Sequence, residues 1–173
     1  MSYSNAFLKA MNWLLSQQVE GGISMDEDDP GNWTGGEKGV GELRGTKFGI
    51  SAKAYPQLDI QALTRDQAYQ IFLVDYWAKI KGDQLPPQVA FVVFDCAVNQ
   101  GVEVAAKLLQ IDLGVAVDGE IGPVTIAAAR AHEQTETVLN FLSRRALRYT
   151  KTKKFDKYGR GWMVRLLRAA RDA

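Results

Sequence analysis

One cysteine, one histidine and five prolines are all that 173 residues contain of these types. A lone Cys96 rules out an intrachain disulfide, and Cys96 with His132 cannot assemble the clustered ligands of a structural zinc site. A catalytic zinc held by several histidines is equally out of reach, which removes the zinc amidases and zinc peptidases, and neither metal nor cofactor is expected. No window approaches the roughly 18 apolar residues needed to cross a bilayer. The N-terminal "MSYSNAFLKAMNWLLSQQ" lacks a basic leader and a long apolar run before a small-residue cleavage site, so it does not read as a secretory signal, and synthesis in the cytoplasm is expected. A nucleic-acid reading motif is also missing.

What is present suits a soluble globular chain: 46% hydrophobic and 24% charged residues, enough for one domain or a domain with a small lobe. The net charge of +1 hides an asymmetry. Residues 144–173 hold 11 Lys or Arg against Asp156 and Asp172, a local charge of +9, so the rest of the chain carries −8. A basic tail on an acidic body is either a solvated helix face or a surface for an anionic partner. Arg165, Arg168 and Arg171 alternate with Trp162, Leu166 and Leu167, a pattern that can lie on an anionic membrane or dock on the acidic body itself.

Helical spacing dominates the pattern. Phe7, Leu8, Met11, Leu14, Leu15 and Val19 form one apolar stripe, with Ser4 as N-cap and Gly21-Gly22 as terminator. Residues 21–50 hold nine of the 16 glycines and suit turns and a short hairpin, Lys38–Val40 against Leu43–Lys47. "TRDQAYQIFLVDYWAKIKG" opens on a capping box, Thr64 with Gln67, and closes on Gly82. "LPPQVAFVVFDCAVNQG" begins with prolines in its first turn. Further helices follow in "VEVAAKLLQIDLG", "EIGPVTIAAARAHEQ", "TETVLNFLSRRALRYTK" and the short basic "GWMVRLLRAARDA". The class is mainly α with one small β element.

Chemistry concentrates in "VEGGISMDEDDPGNWTGG". Glu20 stands at the edge of the first helix beside glycines that let a ligand approach the backbone. An apolar helix face behind such a carboxyl can desolvate it enough to keep its proton near neutral pH, as a general acid requires. Asp29 follows nine residues later, then Thr34 or Thr46. Two carboxyls and a hydroxyl on a helix end and an adjoining hairpin are the groups that cleave glycosidic bonds. Spacing alone does not separate this from a surface acid beside a solvated loop.

The motifs go further. "EGG", then "DPG", then "TKFGIS" (Thr46 to Ser51) resemble the signature of glycoside hydrolase family 108, the phage and prophage N-acetylmuramidases. "FDCAVNQG" and "AAKLLQIDLGVAVDGEIGPVTIAA" are similar to that family's associated peptidoglycan-binding region. The resemblance implies a lysozyme-like helical domain with a small β-hairpin near the catalytic cleft. It implies residues 1–98 as the catalytic region and 99–173 as a helical peptidoglycan-binding region packed against it in a single compact unit. Glu20 is the implied proton donor and Thr46, rather than Thr34, the implied hydroxyl. The link "NWTGGEKGVGELRG" departs from the family pattern by an insertion that brings Glu37 and Glu42. Of the three candidates for the second carboxylate, Glu42 is expected to serve, since a returning strand four residues before Thr46 could bring it to the cleft. Asp29 then shapes the turn, and Glu37 occupies a glycine-flanked tip.

Around this set, Tyr76 is a candidate for stacking on sugar, although Tyr76 and Trp77 point to different faces and at most one can do so. Asn99, Gln110 and Asp118 are candidate glycan contacts, each with an ordinary alternative as a cap or turn residue. Cys96 and His132 occur in the order of cysteine peptidases, but Cys96 lies in an apolar helical context where a free thiol packs. The expected activity is an endolysin's: hydrolysis of the β-1,4 bond between N-acetylmuramic acid and N-acetylglucosamine in the cell wall, by a monomer acting after release from the cytoplasm. The expected partners are peptidoglycan strands and, through the basic end, an anionic membrane or lipopolysaccharide. The rivals are a non-catalytic wall-binding or secretion-assisting protein and a lytic transglycosylase.

Overall fold

The computed structural model describes residues 3–16 and 22–173. Its Cα framework divides into two compact units: residues 1–10 with 73–173, and residues 11–72. Residues 73–98 and 99–173 both lie within the first unit.

Helix α1 (Asn5–Ser16) starts where expected, with the Phe7 N–H donating to Ser4 Oγ at 3.2 Å. Its stripe of Phe7, Ala10, Met11 and Leu14 is almost fully buried. The expected continuation to Gly21 falls on residues 17–21, outside the described residues.

In the first unit the organising element is α3 (Pro87–Gln100), in which every residue from Val89 to Ala97 is buried. Pro87 sits in the first turn, where its missing N–H costs nothing. α3 packs on α4 (Val102–Leu113) and on α6 (Gln134–Thr150); α7 (Phe155–Asp172) lies on α6, and α5 (Pro123–Ala131) bridges α4 and α6. Phe7, Trp77 and Phe94 meet edge to face, with ring centroids 5.4–6.1 Å apart. The glycine at 82 belongs to this knot, since a Cβ there would lie 2.3 Å from the Trp77 ring. α7 is longer than the expected helix: it begins at Phe155, and Gly159 lies under the Phe155 ring.

The second unit contains the irregular segment, a small sheet and α2 (Arg65–Phe72). The capping box forms: Gln67 N–H donates to Thr64 Oγ1 at 3.2 Å and Thr64 N–H to Gln67 Oε1 at 2.8 Å. The helix expected from Thr64 to Gly82 is not continuous, however. After Phe72 it passes into a π-helical turn, Leu73–Trp77, and a 3-10 turn follows at Gly82–Gln84. The sheet also differs from expectation. β1 (Thr46–Lys47) pairs antiparallel with β2 (Ile50–Ser51), and Trp33 bridges Leu43. The two residues joining β1 to β2, Phe48 and Gly49, both have positive φ, 53° and 79°, as a type I′ turn requires.

Candidate active site

The acidic run is put to local use. Asp26 Oδ1 accepts the Asp28 N–H at 2.9 Å, and Asp28 pairs with Lys38. That hydrogen bond, with the charge behind it, holds the Asp28 carboxyl below its usual range. Asp29 is extended (φ −87°, ψ 111°), as a residue before proline should be, and its Oδ1 accepts the Gly31 N–H at 2.8 Å.

Asn32, which the sequence reading passed over, is the centre of this segment. It is fully buried, and each of its polar groups is engaged. Its Nδ2 donates to the Asp26 carbonyl at 2.8 Å, and its Oδ1 accepts the Thr46 hydroxyl at 2.7 Å. Its N–H donates to the Asp29 carbonyl, and its own carbonyl accepts the N–H groups of Arg44 and Gly45, all at 3.0 Å. Thr46 is held a second time: its N–H and carbonyl exchange bonds with Ser24 at 2.9 and 2.8 Å. Gly45 (φ 82°) permits that approach, since a Cβ there would fall 2.5 Å from the Ser24 carbonyl. The Thr46 hydroxyl is thus oriented by a buried amide. Glu20 itself lies outside the described residues.

The insertion folds back on itself. Thr34 N–H donates to the Glu42 carbonyl and Thr34 Oγ1 accepts the Glu42 N–H, each at 2.9 Å. Thr34 therefore closes the base of this loop, and Glu37 lies exposed in its turn. The Glu42 carboxylate is exposed and accepts from Arg44 Nε and Nη2 at 2.7 Å, while Arg44 Nη1 donates to the Pro56 carbonyl.

In the first unit, Tyr76 lies half-buried in the π-helical turn and Trp77 is in the core, so the two do face different ways. Asn99 Oδ1 accepts the Tyr149 hydroxyl at 2.6 Å and Arg145 Nη2 at 3.3 Å. The Gln110 side chain is buried and hydrogen-bonded within the fold. Its Nε2 donates to Asp118 Oδ1 (2.6 Å) and the Glu120 carbonyl (2.9 Å), and its Oε1 accepts the Gly119 N–H (2.9 Å). The exposed Asp118 also accepts the Glu120 N–H, so this pair ties the turn that precedes α5. Cys96 Sγ lies 3.7 Å from Gln100 Oε1, and burial pushes its thiol up to about 11. His132 Nδ1 meets the Ala128 carbonyl, so the two peptidase candidates engage other partners. Among the described residues no cluster of three or more His, Cys, Asp or Glu is placed to hold a metal.

A second group not anticipated from sequence is Asp95, 1% exposed, with Arg145 and Arg165 both on its carboxylate; Arg165 Nε donates to Oδ1 at 2.9 Å. Burial alone would raise its carboxyl, but the two guanidiniums outweigh that and hold it below its usual value. A lone acid in the apolar run "FVVFDCAV" was the available signal, because a buried charge needs partners.

Among the described residues, seven α-helices with a small two-stranded antiparallel sheet make a mainly helical, lysozyme-like fold. The solved structure of Brucella abortus SagA is similar at a TM-score of 0.80 and 31% identity, over 95% of this chain and 91% of that one. Residues 13–101 match the sequence profile of Glycosyl hydrolase 108, and the chain belongs to that family. No curated protein matches it.

Proposed function

We propose that this glycoside hydrolase cuts the β-1,4 bond between N-acetylmuramic acid and N-acetylglucosamine in peptidoglycan, with Glu20 as general acid. The observation that carries the reading is the pairing of Thr46 with Ser24 and Asn32, within the stretch that matches the family. Glu20 protonates the leaving oxygen, a contribution of roughly 10²–10⁴ in rate. The Thr46 hydroxyl, its proton given to Asn32, presents lone pairs that orient the attacking water. Glu42 is the proposed carboxylate partner. Asp29, with one oxygen engaged by the Gly31 N–H, keeps the turn in shape. Tyr76 and Asn99 contact the glycan, and residues 99–173 help to retain it. The endolysin role, with action on the wall after release, belongs to the same proposal and rests on the sequence resemblance.

Digestion of purified peptidoglycan with mass spectrometry of the fragments tests this reading. Reducing N-acetylmuramic acid ends are expected; anhydro-muramic ends would show a transglycosylase, and no cleavage would leave a wall-binding protein. The carboxylates are compared by turnover of folded Glu42→Gln and Asp29→Asn. Glu42→Gln should lose activity roughly 10²-fold or more, with Asp29→Asn much less affected. The reverse order would exchange their roles.

A further inference from the structure

Arg144 and Arg145 of α6 are paired with Asp112 and Asp95, and Arg165 and Arg171 of α7 with Asp95 and Asp172. Arg148 and Lys151 are exposed and have no ion-pair partner among the described residues. Arg144, Leu147, Arg148 and Lys151 recur three and four residues apart, which places them on one face of α6 and its C-terminal cap. That face is not simply polar. Leu147 is 61% exposed and Ile111 of α4 is 43% exposed, and both line a depression of about 260 Å³ in the first unit. Leu108 completes its aliphatic lining, and its other three residues are Arg144, Arg148 and Lys151.

The same two unpaired cations also line a second depression, of about 480 Å³, together with Tyr149 and Trp162. Those two rings stack with centroids 4.8 Å apart, and the exposed Tyr158 ring lies 6.0 Å from Trp162 with Lys157 Nζ over its own face. No acid lines either depression. Lys153, Lys154, Lys157 and Arg160 follow along the chain, all exposed, with only Asp156 to offset them, so the local field draws anions. A soluble phosphate or a nucleic acid would meet these cations and leave Leu147 and Ile111 in water. An anionic bilayer meets both kinds of group: its phosphates take the arginine and lysines, its acyl boundary takes the aliphatic side chains, and its headgroup layer suits tyrosine and tryptophan.

We propose that the C-terminal end of α6, with the adjoining start of α7, docks on an anionic phospholipid surface. No described helix is long and apolar enough to cross a membrane, so the contact is interfacial. It is also not the alternation of Arg165 with Leu166 on α7, because Leu166 is buried and Arg165 is held by Asp95. The proposal concerns where the protein is held, and does not depend on the bond it cuts.

The test is cosedimentation of the intact chain with vesicles of phosphatidylglycerol and phosphatidylcholine, against vesicles of phosphatidylcholine alone. Binding is expected to the anionic vesicles only, and to weaken as salt is added. A basic residue near such a surface contributes about a factor of five in affinity, so Arg148→Gln with Lys151→Gln should weaken binding roughly thirtyfold. Leu147→Ser should weaken it roughly tenfold. All three side chains are exposed, so the variants are expected to fold, and circular dichroism checks this. Arg168→Gln with Arg171→Gln removes the same charge from α7 and should have much the smaller effect. Equal losses from the two double variants would show a response to net charge alone and overturn the proposal. Absence of binding to the anionic vesicles, or wild-type affinity in Leu147→Ser, would overturn it too. An oligonucleotide bound as tightly as the anionic vesicles would assign the face to nucleic acid instead.

Discussion

Asn32 uses its N–H, carbonyl, Nδ2 and Oδ1 to join three passes of chain, at Asp26, Asp29 and Arg44–Thr46. In sequence it follows Pro-Gly and reads as one more turn residue, and nothing in the pattern marks it as buried. The motifs that contain Asp29 and Thr46 are visible in the sequence; the residue that joins them was not, because burial of a polar side chain is decided by tertiary packing. Asn32→Ala would remove the acceptor of the Thr46 hydroxyl and one of the two donors to the Asp26 carbonyl. Each lost hydrogen bond is worth about 0.5–1.5 kcal/mol. Urea unfolding should show a loss of about 1–3 kcal/mol, and turnover should fall with it as the Thr46 hydroxyl loses its orientation. A wild-type midpoint in urea would contradict this account of the lobe.

At the scale of elements, capping and proline signals located the helices well: Ser4, Thr64 with Gln67, and Pro87 all act as their chemistry dictates. The β element was placed wrongly. Glycines at positive φ (36, 39, 41, 45 and 49) remove the side-chain alternation that fixes register, and Phe-Gly is not a recognisable hairpin turn. The π-helical turn at Leu73–Trp77 was also invisible, because one extra residue does not interrupt an apolar pattern. α7 shows a different limit. Its amphipathic pattern allowed two readings, membrane contact or packing at home. Leu166 and Ala169 are buried, and Arg165 reaches Asp95, so this part of the helix packs within the fold. Leu166→Ala should therefore cost about 2–4 kcal/mol, while Leu167→Ala, at a position 72% exposed, should stay within about 0.5 kcal/mol of wild type. Thermal or urea unfolding of the pair checks this, and equal effects would contradict the orientation of α7.

For the molecule as a whole, the opposition of acidic body and basic tail was legible as a charge count, but its resolution was not. Part of it is internal: Arg145 and Arg165 from the tail neutralise Asp95 in the core of the first unit. The folded carboxyl titrates below the unfolded one, about 3.9 for aspartate. The stability it contributes is therefore complete above that value and is lost as pH falls through the depressed folded value. Unfolding temperature should hold down to about pH 5 and drop steeply below about pH 4. Asp95→Asn should lower it at neutral pH, by leaving Arg145 with an uncompensated charge, and should flatten the acid limb. An unchanged acid limb would assign acid sensitivity to other groups. The exposed acids held low by their partners, Asp28 and Glu103 among them, add little because solvent screens them. The central claim concerns Glu20, and the release of new reducing ends from purified peptidoglycan tests it most directly. Glu20→Gln keeps the shape of the side chain and removes the proton, so a folded variant should lose roughly 10²–10⁴-fold in rate. Turnover near wild type in that variant would contradict the account.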